Sequence, residues 1–358
     1  MEKLKVGIIG AGSISECHIA GYKALENTEL YAVCDINAQR ASNCAKKHDI
    51  KHVFTNYNEM LKLDELDAIS VCTWNSVHAP AAIAALKAGK HVLCEKPMAI
   101  NTKEALEMEK ASKEAGKLLM IGFVRRFGND TRVLKDFIDN GMMGDIYYIK
   151  ASYLRRSGCP GGWFGDKKRS GGGPLIDLGV HVIDLVRFLM NRPEAVSVTG
   201  VTFDRLGSRS NLKQEKTYVA ADAGNIFDVE DMAVAMIKFD NGAVLHVETS
   251  FSLNTKKDIG DIELFGTKSG AKLDPKLEFY SEMNNYLVDV TPAHDTALSF
   301  NGLFENEIAH FVDCVTKGTK CISPAEDGVE IMKIIDAAYE SARIGKEVII
   351  QDPFLNIP

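Results

Sequence analysis

The chain lacks several features that would place it in a special class of protein. Its apolar runs fall short of the roughly 18 residues that cross a membrane, and the first of them, residues 6–9, is too short for a secretory leader. Positive charge is not in excess, since the formal net charge is −7 with a pI near 5.8, which argues against nucleic acid as a partner. Long blocks of like charge are also missing, while 46% of the residues are hydrophobic. These absences predict a soluble globular protein, and 358 residues suffice for about two domains.

The cysteines lack the close pairing of a redox or zinc motif. No Cys-x-x-Cys pair occurs among them, and most lie inside apolar runs, as expected for small buried hydrophobic residues. A disulfide framework is not expected in a chain of this size without a leader, so a reduced cytoplasmic location is predicted. The eight positions are Cys17, Cys34, Cys44, Cys72, Cys94, Cys159, Cys314 and Cys321.

Residues 1–122 alternate between strand-like and helix-like segments. Continuous apolar strands that alternate with helices predict an α/β fold with a doubly wound parallel sheet covered on both faces. The carboxyl ends of such strands meet at one edge of the sheet, where ligands bind. The predicted strands are residues 4–9, 29–34, 68–73, 91–94 and 118–123, and the predicted helices begin at residues 14, 39, 80 and 103.

Residues 123–358 show a different pattern, which predicts an α+β domain on a large open, mostly antiparallel or mixed sheet. Asp240, Asn241 and Gly242 separate two strand patterns and indicate a hairpin. A long apolar helix is expected over residues 174–191. Strands are predicted at 144–154, 195–203, 232–239, 243–250 and 259–265, and further helices at 130–140, 305–316 and 325–344.

A glycine motif follows the first predicted strand and opens a helix. Gly10 and Gly12 begin a GxGxxG pattern in which Ser15 takes the third place, with Ser13 and Ile14 between. Glycines there allow a tight turn and a close approach to a pyrophosphate at the helix amino terminus. Asp35 ends the second strand, where a carboxylate binds the ribose hydroxyls of NAD and repels the 2′-phosphate of NADP.

The predicted cofactor site includes two more residues, Ile36 and Arg40. Ile36 comes directly after Asp35, and Arg40 lies in the next helix. A nearby arginine can tolerate the 2′-phosphate of NADP. NAD is therefore the expected cofactor, with NADP the less favoured one.

The segment Cys94-Glu95-Lys96-Pro97 lies just past the fourth predicted strand. Pro97 restricts the backbone of Lys96, which suits a side chain that must point in one direction. An ammonium group can stabilise the alkoxide that develops on an alcohol. A solvated loop lysine is the alternative interpretation.

Three polar residues interrupt the apolar helix predicted over 174–191. Asp177, His181 and Asp184 lie four and three residues apart and would share one helical face. Such groups are costly in an apolar environment unless they are paired or used. A histidine oriented by acids is a natural general base; a satisfied structural network and a metal pair are the alternatives. Third and fourth metal ligands are not evident, so no metal is predicted.

Taken in this order, the motifs resemble the Gfo/Idh/MocA oxidoreductase family over essentially the whole chain. That resemblance implies an amino-terminal Rossmann domain over 1–122 and a substrate-binding α+β domain over 123–358. Trp74 departs from the family pattern, in which proline is commoner. The matching residues include Gly10, Gly12, His18, Asp35, Thr73, Asn75, His78, Glu95, Lys96, Pro97, Arg126, Phe127, Asp177, Gly179, His181, Glu230 and Asp231.

The resemblance also implies roles for these residues. Lys96 is expected to bind the reacting hydroxyl, His181 to accept its proton, and Asp177 to orient the substrate or His181. Arg126 and Trp163 are expected to form the wall of the active site, although Trp163 could equally be a packing aromatic. Glu230 and Asp231 could bind sugar hydroxyls or be a surface pair. The expected cofactor contacts include Thr73, Trp74, Asn75, His78, Glu95, Lys96 and Pro97.

The activity implied is NAD-dependent oxidation of a secondary ring hydroxyl of a sugar, a glycoside or a cyclitol, for example C3 of a glucoside or a hydroxyl of inositol. One alternative is a non-catalytic dinucleotide-binding regulator. Another is a relative that keeps NAD bound and recycles it within one turnover, as redox-assisted glycosidases do. By the same resemblance the protein is expected to form a homo-oligomer, a dimer or a tetramer.

Overall fold

The computed structural model describes residues 3–213, 219–220, 226–293, 296 and 299–350. The contacts between residues divide the chain into two compact units. The first unit comprises Met1–Val124 and Ser299–Val329, and the second comprises Arg125–Leu298 and Glu330–Pro358. The domain boundary expected after residue 122 stays a prediction.

The first unit contains a six-stranded parallel sheet in the order β3-β2-β1-β4-β5-β6. Its central strands are buried, which explains their continuous apolar sequences. The sheet confirms the predicted parallel architecture and adds a short strand, β3, that the sequence pattern did not reveal. The strands are β1 (Leu4–Ile9), β2 (Thr28–Cys34), β3 (His52–Phe54), β4 (Ala68–Val71), β5 (His91–Glu95) and β6 (Leu119–Gly122).

Polar side chains cap the amino termini of several helices. Asn37 accepts hydrogen bonds from the amides of Gln39 and Arg40, and Asn101 accepts one from Glu104. None of the helices within the described residues is long and apolar enough to cross a membrane. The helices are α1 (Ser13–Lys23), α2 (Ala38–His48), α3 (Tyr57–Met60), α4 (Asn75–Lys87), α5 (Thr102–Ala115), α6 (Asn129–Asp139), α7 (Lys167–Ser170), α8 (Val180–Leu189), α9 (Phe300–Lys317) and α10 (Ala325–Ile344).

The second unit contains a nine-stranded mixed sheet in the order β14-β13-β12-β11-β7-β10-β9-β8-β15. Among the described residues β7 and β10 pair in parallel, and the other neighbours are antiparallel. This confirms the predicted open sheet, and the predicted turn at Gly242 joins β9 to β10. The strands are β7 (Ile146–Leu154), β8 (Ala195–Phe203), β9 (Met232–Phe239), β10 (Val244–Ser250), β11 (Ile259–Gly266), β12 (Ser269–Lys272), β13 (Glu278–Met283), β14 (Tyr286–Val290) and β15 (Val348–Ile349).

The helix expected over residues 174–191 is not one continuous α-helix. It begins with a π-helical turn, Leu175–Gly179, and continues as α8, Val180–Leu189. A π-helical turn bonds residues five apart rather than four. Asp177 lies in this turn and His181 in α8, so α-helical spacing does not place the two residues on one face.

Candidate cofactor and catalytic site

Four predicted segments follow the carboxyl ends of four neighbouring strands in the first unit. The glycine loop follows β1, Asp35 follows β2, Thr73 and Trp74 follow β4, and Lys96 follows β5. In a parallel sheet these ends lie at one edge, which is the usual place for a bound dinucleotide. The first unit therefore brings together the segments that were predicted to bind the cofactor.

The two glycines of the loop serve different purposes. Gly10 has a φ of +94°, and a Cβ added there would lie 2.5 Å from the carbonyl oxygen of Cys72. Gly12 begins α1 with a negative φ, and a Cβ there would meet no described atom within 4 Å. Gly10 is thus required by the protein's own backbone, whereas the open space beside Gly12 is available to a ligand at the amino terminus of α1.

Asp35 is held in place by backbone amides. Its Oδ2 accepts a hydrogen bond of 2.9 Å from the amide of Ala11, and its Oδ1 accepts one of 2.8 Å from the amide of Asn37. The Nε of Arg40 lies 3.5 Å from Oδ1. A carboxylate offers about four acceptor positions, so Asp35 retains acceptors for ribose hydroxyls while it is fixed beside the glycine loop.

These features fit an NAD-type dinucleotide. The open space at Gly12 would admit the pyrophosphate, and the fixed carboxylate of Asp35 would hold the ribose. Ser13 and the strongly exposed Ile36 lie at the surface of this edge, while Ile14 and Arg40 are half-buried. Their contacts with the cofactor stay predictions.

Substitution of the two glycines separates folding from cofactor binding. Gly10→Ala should destabilise the protein by about 2 kcal/mol or more, because it combines a positive φ with a clash against backbone. Gly12→Ala should leave the urea-unfolding midpoint near that of the unsubstituted protein and weaken NADH binding, measured by fluorescence titration. An unchanged NADH affinity in Gly12→Ala would contradict the assignment of the open space to the cofactor.

The backbone of Lys96 is tied to a buried hydrogen-bond network. The amide of Lys96 donates to Oε2 of Glu95 at 3.2 Å, and Oε1 of Glu95 lies 2.8 Å from Nε2 of His18. Nδ1 of His18 lies 3.2 Å from Oγ of Ser70, which lies 2.8 Å from the hydroxyl of Tyr22. His18, Ser70 and Tyr22 are fully buried, whereas Lys96 is half-buried. The network therefore fixes the backbone from which this half-buried lysine projects.

His78 joins two of the predicted cofactor segments. Its Nδ1 lies 2.7 Å from the carbonyl oxygen of Pro97, and its Nε2 lies 3.1 Å from that of Thr73. Burial lowers the pKa of His78, and the contacts with the two carbonyl oxygens oppose this shift. His78 thus holds the segment after β4 against the segment after β5.

The residues between these segments form the start of α4. Trp74 is the residue before the helix and is half-buried, and Asn75, its first residue, is buried. Thr73 donates from Oγ1 to the carbonyl oxygen of Trp74 at 3.2 Å. Direct contacts of these three residues with the cofactor stay predictions.

In the second unit, the predicted proton acceptor lies at the start of a helix. His181 is half-buried in the first turn of α8, and Asp177 is buried in the preceding π-helical turn. The amide of Asp177 donates to the carbonyl oxygen of Gly173 at 3.1 Å. Their catalytic roles stay predictions.

Arg126 and Asp184 form a buried ion pair in the second unit. The Nε of Arg126 donates to Oδ2 of Asp184 at 3.0 Å and Nη2 donates to Oδ1 at 2.5 Å, and the side chains are 0% and 1% exposed. The guanidinium carbon also lies 5.0 Å from the centre of the Phe188 ring. The structural-network interpretation therefore applies to Asp184, while a contact of Arg126 with substrate stays a prediction.

Trp163 packs against another aromatic ring. Its ring centre lies 3.9 Å from that of Phe164, and the two rings are nearly parallel. Trp163 borders a buried apolar cluster that contains Phe164, Leu178 and Phe251. Packing accounts for this half-buried side chain, and stacking on a substrate stays a prediction.

Glu230 and Asp231 bind backbone amides. Glu230 accepts hydrogen bonds from the amides of Gly173 and Leu175, at 2.9 and 3.1 Å, and from the hydroxyl of Tyr339 at 2.8 Å. Burial raises the pKa of Glu230. The buried Asp231 accepts hydrogen bonds from the amides of Leu206 and Gly207. The surface-pair interpretation is therefore wrong for Asp231, and sequence reasoning missed that Glu230 caps the π-helical turn.

The fold and the glycine loop define a dinucleotide-binding α/β protein, and comparison with known proteins identifies the family. The Gfo/Idh/MocA oxidoreductase family, described as having an NAD-binding Rossmann fold, matches residues 4–123. The carboxy-terminal alpha/beta domain of that family matches residues 135–350. The chain therefore belongs to the Gfo/Idh/MocA family, and it is an oxidoreductase with an NAD(H)-binding Rossmann domain.

Individual relatives support this membership. D-glucoside 3-dehydrogenase of Escherichia coli is 34% identical over 348 residues, which cover 96% of this chain and 97% of that protein. Myo-inositol 2-dehydrogenase of Thermotoga maritima is 29% identical over 266 residues, which cover 74% of this chain and 73% of that protein. The crystal structure of an oxidoreductase domain protein from Kribbella flavida has a TM-score of 0.87 and 25% identity, covering 98% of this chain and 100% of that one.

Proposed function

We propose that this protein oxidises a secondary ring hydroxyl of a sugar, a glycoside or a cyclitol with NAD, and that C3 of a D-glucoside is the first candidate position. The observation that carries the proposal is the half-buried Lys96 on the same sheet edge as the glycine loop and Asp35. The relative at 34% identity, named as a D-glucoside 3-dehydrogenase, favours the glucoside over other ring alcohols.

The proposed chemistry assigns one task to each residue. The ammonium group of Lys96 binds the reacting hydroxyl and stabilises the negative charge that develops on its oxygen. His181 accepts the hydroxyl proton, and Asp177 orients the substrate or the imidazole. When bound, the nicotinamide supplies the acceptor for the hydride that leaves the carbinol carbon.

The preference for NAD over NADP rests on Asp35 in this proposal. Its carboxylate is fixed by two amides, so it cannot move away from a 2′-phosphate without the loss of both hydrogen bonds. Arg40, close to Asp35, offers the positive charge that a phosphate would require. The carboxylate therefore decides between the two cofactors.

Asp35→Ala should shift cofactor preference toward NADP. The substitution removes the ribose acceptor and the repulsion of the 2′-phosphate, so the ratio of kcat/KM for NAD to that for NADP should fall by about 10- to 100-fold. The measurement is initial rates with each cofactor. Glu59→Gln, which alters an exposed ion pair on α3, is the control and should leave the ratio unchanged. An unchanged ratio in Asp35→Ala would contradict the role of this carboxylate.

The proposed activity is tested by the absorbance of NADH. The protein is mixed with NAD and a panel of glucosides, free sugars and inositols, and reduction is expected first with glucosides. A second arm adds 3-keto sugars to protein that has been loaded with NADH. A tightly held cofactor would be reoxidised there, even if the first arm shows no net accumulation of NADH. Absence of signal in both arms would overturn the enzymatic proposal and favour a non-catalytic regulator.

A further inference from the structure

One imidazole and two thiols cluster at the carboxyl end of α9, in the first unit. His310 and Cys314 lie one turn apart on the helix, and Cys321 lies in the segment that follows it. One nitrogen and the two sulfur atoms all lie within 4.8 Å of one another. The cofactor and catalytic residues described above include none of these three.

Hydrogen bonds orient the imidazole of His310 toward the thiol of Cys314. The amide of Ile322 donates to Nε2 of His310 at 3.1 Å, and Sγ of Cys314 lies 3.3 Å from the same nitrogen. An amide nitrogen can only donate, so Nε2 carries no proton. The thiol of Cys314 is therefore the donor in the second bond, and a metal ion bound by both residues would take the place of that thiol proton.

The spacing of the three ligand atoms is close to what a metal requires. Tetrahedral zinc has bonds of about 2.3 Å to sulfur and about 2.0 Å to nitrogen, which places neighbouring ligand atoms roughly 3.5–3.8 Å apart. The atoms here, within 4.8 Å of one another, need to approach by at most about 1.3 Å. His310 and Cys321 are half-buried, so an ion and a water ligand can reach them.

Both pieces of chain that carry the ligands are anchored independently. The segment after α9 is bonded to β6, where the amide of Ile121 donates to the carbonyl oxygen of Ser323 at 3.0 Å and Oγ of Ser323 donates to that of Ile121 at 2.6 Å. Gly318 ends α9 with a φ of +70°. The ligands therefore project from a fixed helix end and a fixed loop, which lowers the entropy cost of binding.

We propose that His310, Cys314 and Cys321 bind one thiophilic d10 cation, Zn²⁺ or Cu⁺, through Nε2 and two thiolates. Two thiolates and an imidazole are soft donors of the kind these ions prefer. Binding releases the two thiol protons to solvent, and Nε2 exchanges its bond from Ile322 for a bond to the metal. Three residues separate His310 from Cys314, and six separate Cys314 from Cys321. This spacing matches no familiar cysteine motif, so the sequence pattern did not indicate the site.

The test uses the full chain, reduced with a phosphine and freed of metal by chelation. Co²⁺ is the probe for the Zn²⁺ arm, because thiolate ligands give it a charge-transfer band in the near ultraviolet. One equivalent should bind, and Zn²⁺ should displace it. Cu⁺ is titrated in competition with a chromophoric chelator, and the two arms decide which ion binds more tightly. Absence of saturable one-equivalent binding in both arms would overturn the proposal.

Serine variants identify the ligands. Cys314→Ser and Cys321→Ser should each halve the cobalt band and weaken Zn²⁺ binding by at least about tenfold. Cys17→Ser, at another half-buried thiol of the first unit, should change neither. His310→Gln keeps both thiols, so it should weaken metal binding and retain most of the cobalt band. This variant tests the site if circular dichroism shows that a cysteine variant is unfolded. Full-strength binding in folded variants of all three positions would refute the assignment.

Discussion

Replacement of Lys96 by alanine should lower kcat/KM for the alcohol substrate by about a thousandfold. In the proposed reaction the ammonium group opposes the negative charge that develops on the reacting oxygen, and the loss of one such donor costs rates of this order. Affinity for NADH should stay largely intact, because the glycine loop and Asp35 are unchanged. The measurements are initial rates with the substrate identified by the panel and a fluorescence titration with NADH.

Two further variants make this result specific. Lys87→Ala removes an exposed lysine of α4 and should leave the rate unchanged. Lys96→Arg keeps the positive charge but replaces a compact ammonium with a planar guanidinium, so it should recover little activity. Small primary amines added to Lys96→Ala should restore part of the rate, because they return an ammonium group to the vacated space. Near-normal turnover in Lys96→Ala would show that the proposed role is wrong.

Sequence reasoning predicted which segments would share one edge of the sheet because the signals for them are local. The glycine loop, Asp35 and Lys96 each follow an apolar strand within one or two residues, and the rule that carboxyl ends of parallel strands share an edge brings them together. The short strand β3 was missed, since its three residues, His52–Phe54, are too few to show a periodicity. The two glycines also look alike in sequence, and only their φ angles and surroundings distinguish them.

The polar residues of the second unit show why other assignments were less successful. Asp184 was grouped with Asp177 and His181 by helical spacing, yet its partner Arg126 lies 58 residues away along the chain. Glu230 caps a helical turn that begins some 57 residues earlier in the chain. That turn is π-helical, where an α-helix was expected. Spacing within one segment cannot reveal a partner that only the folded chain brings near. Buried ion pairs and helix caps of this kind can be identified only in the folded structure.

Asp184→Ala should destabilise the protein by about 3–5 kcal/mol. The substitution removes a carboxylate that accepts two hydrogen bonds from Arg126 at a site where both side chains are almost wholly removed from solvent, and removal of one partner of a buried ion pair has a cost of this size. The free energy of unfolding is measured with urea. Glu340→Ala breaks an exposed ion pair with Arg343 on α10 and should have little effect, as is usual for pairs at the surface.

The double variant Arg126→Met with Asp184→Leu separates charge pairing from substrate binding. Apolar side chains of similar volume can replace a buried ion pair without loss of stability, because the desolvation cost disappears together with the attraction. The double variant should therefore be more stable than Asp184→Ala. If the pair is purely structural, this variant should also retain activity, whereas a stable but inactive protein would indicate that Arg126 contacts the substrate. A double variant no more stable than Asp184→Ala would instead show that the neighbouring residues, Phe188 among them, require the guanidinium itself.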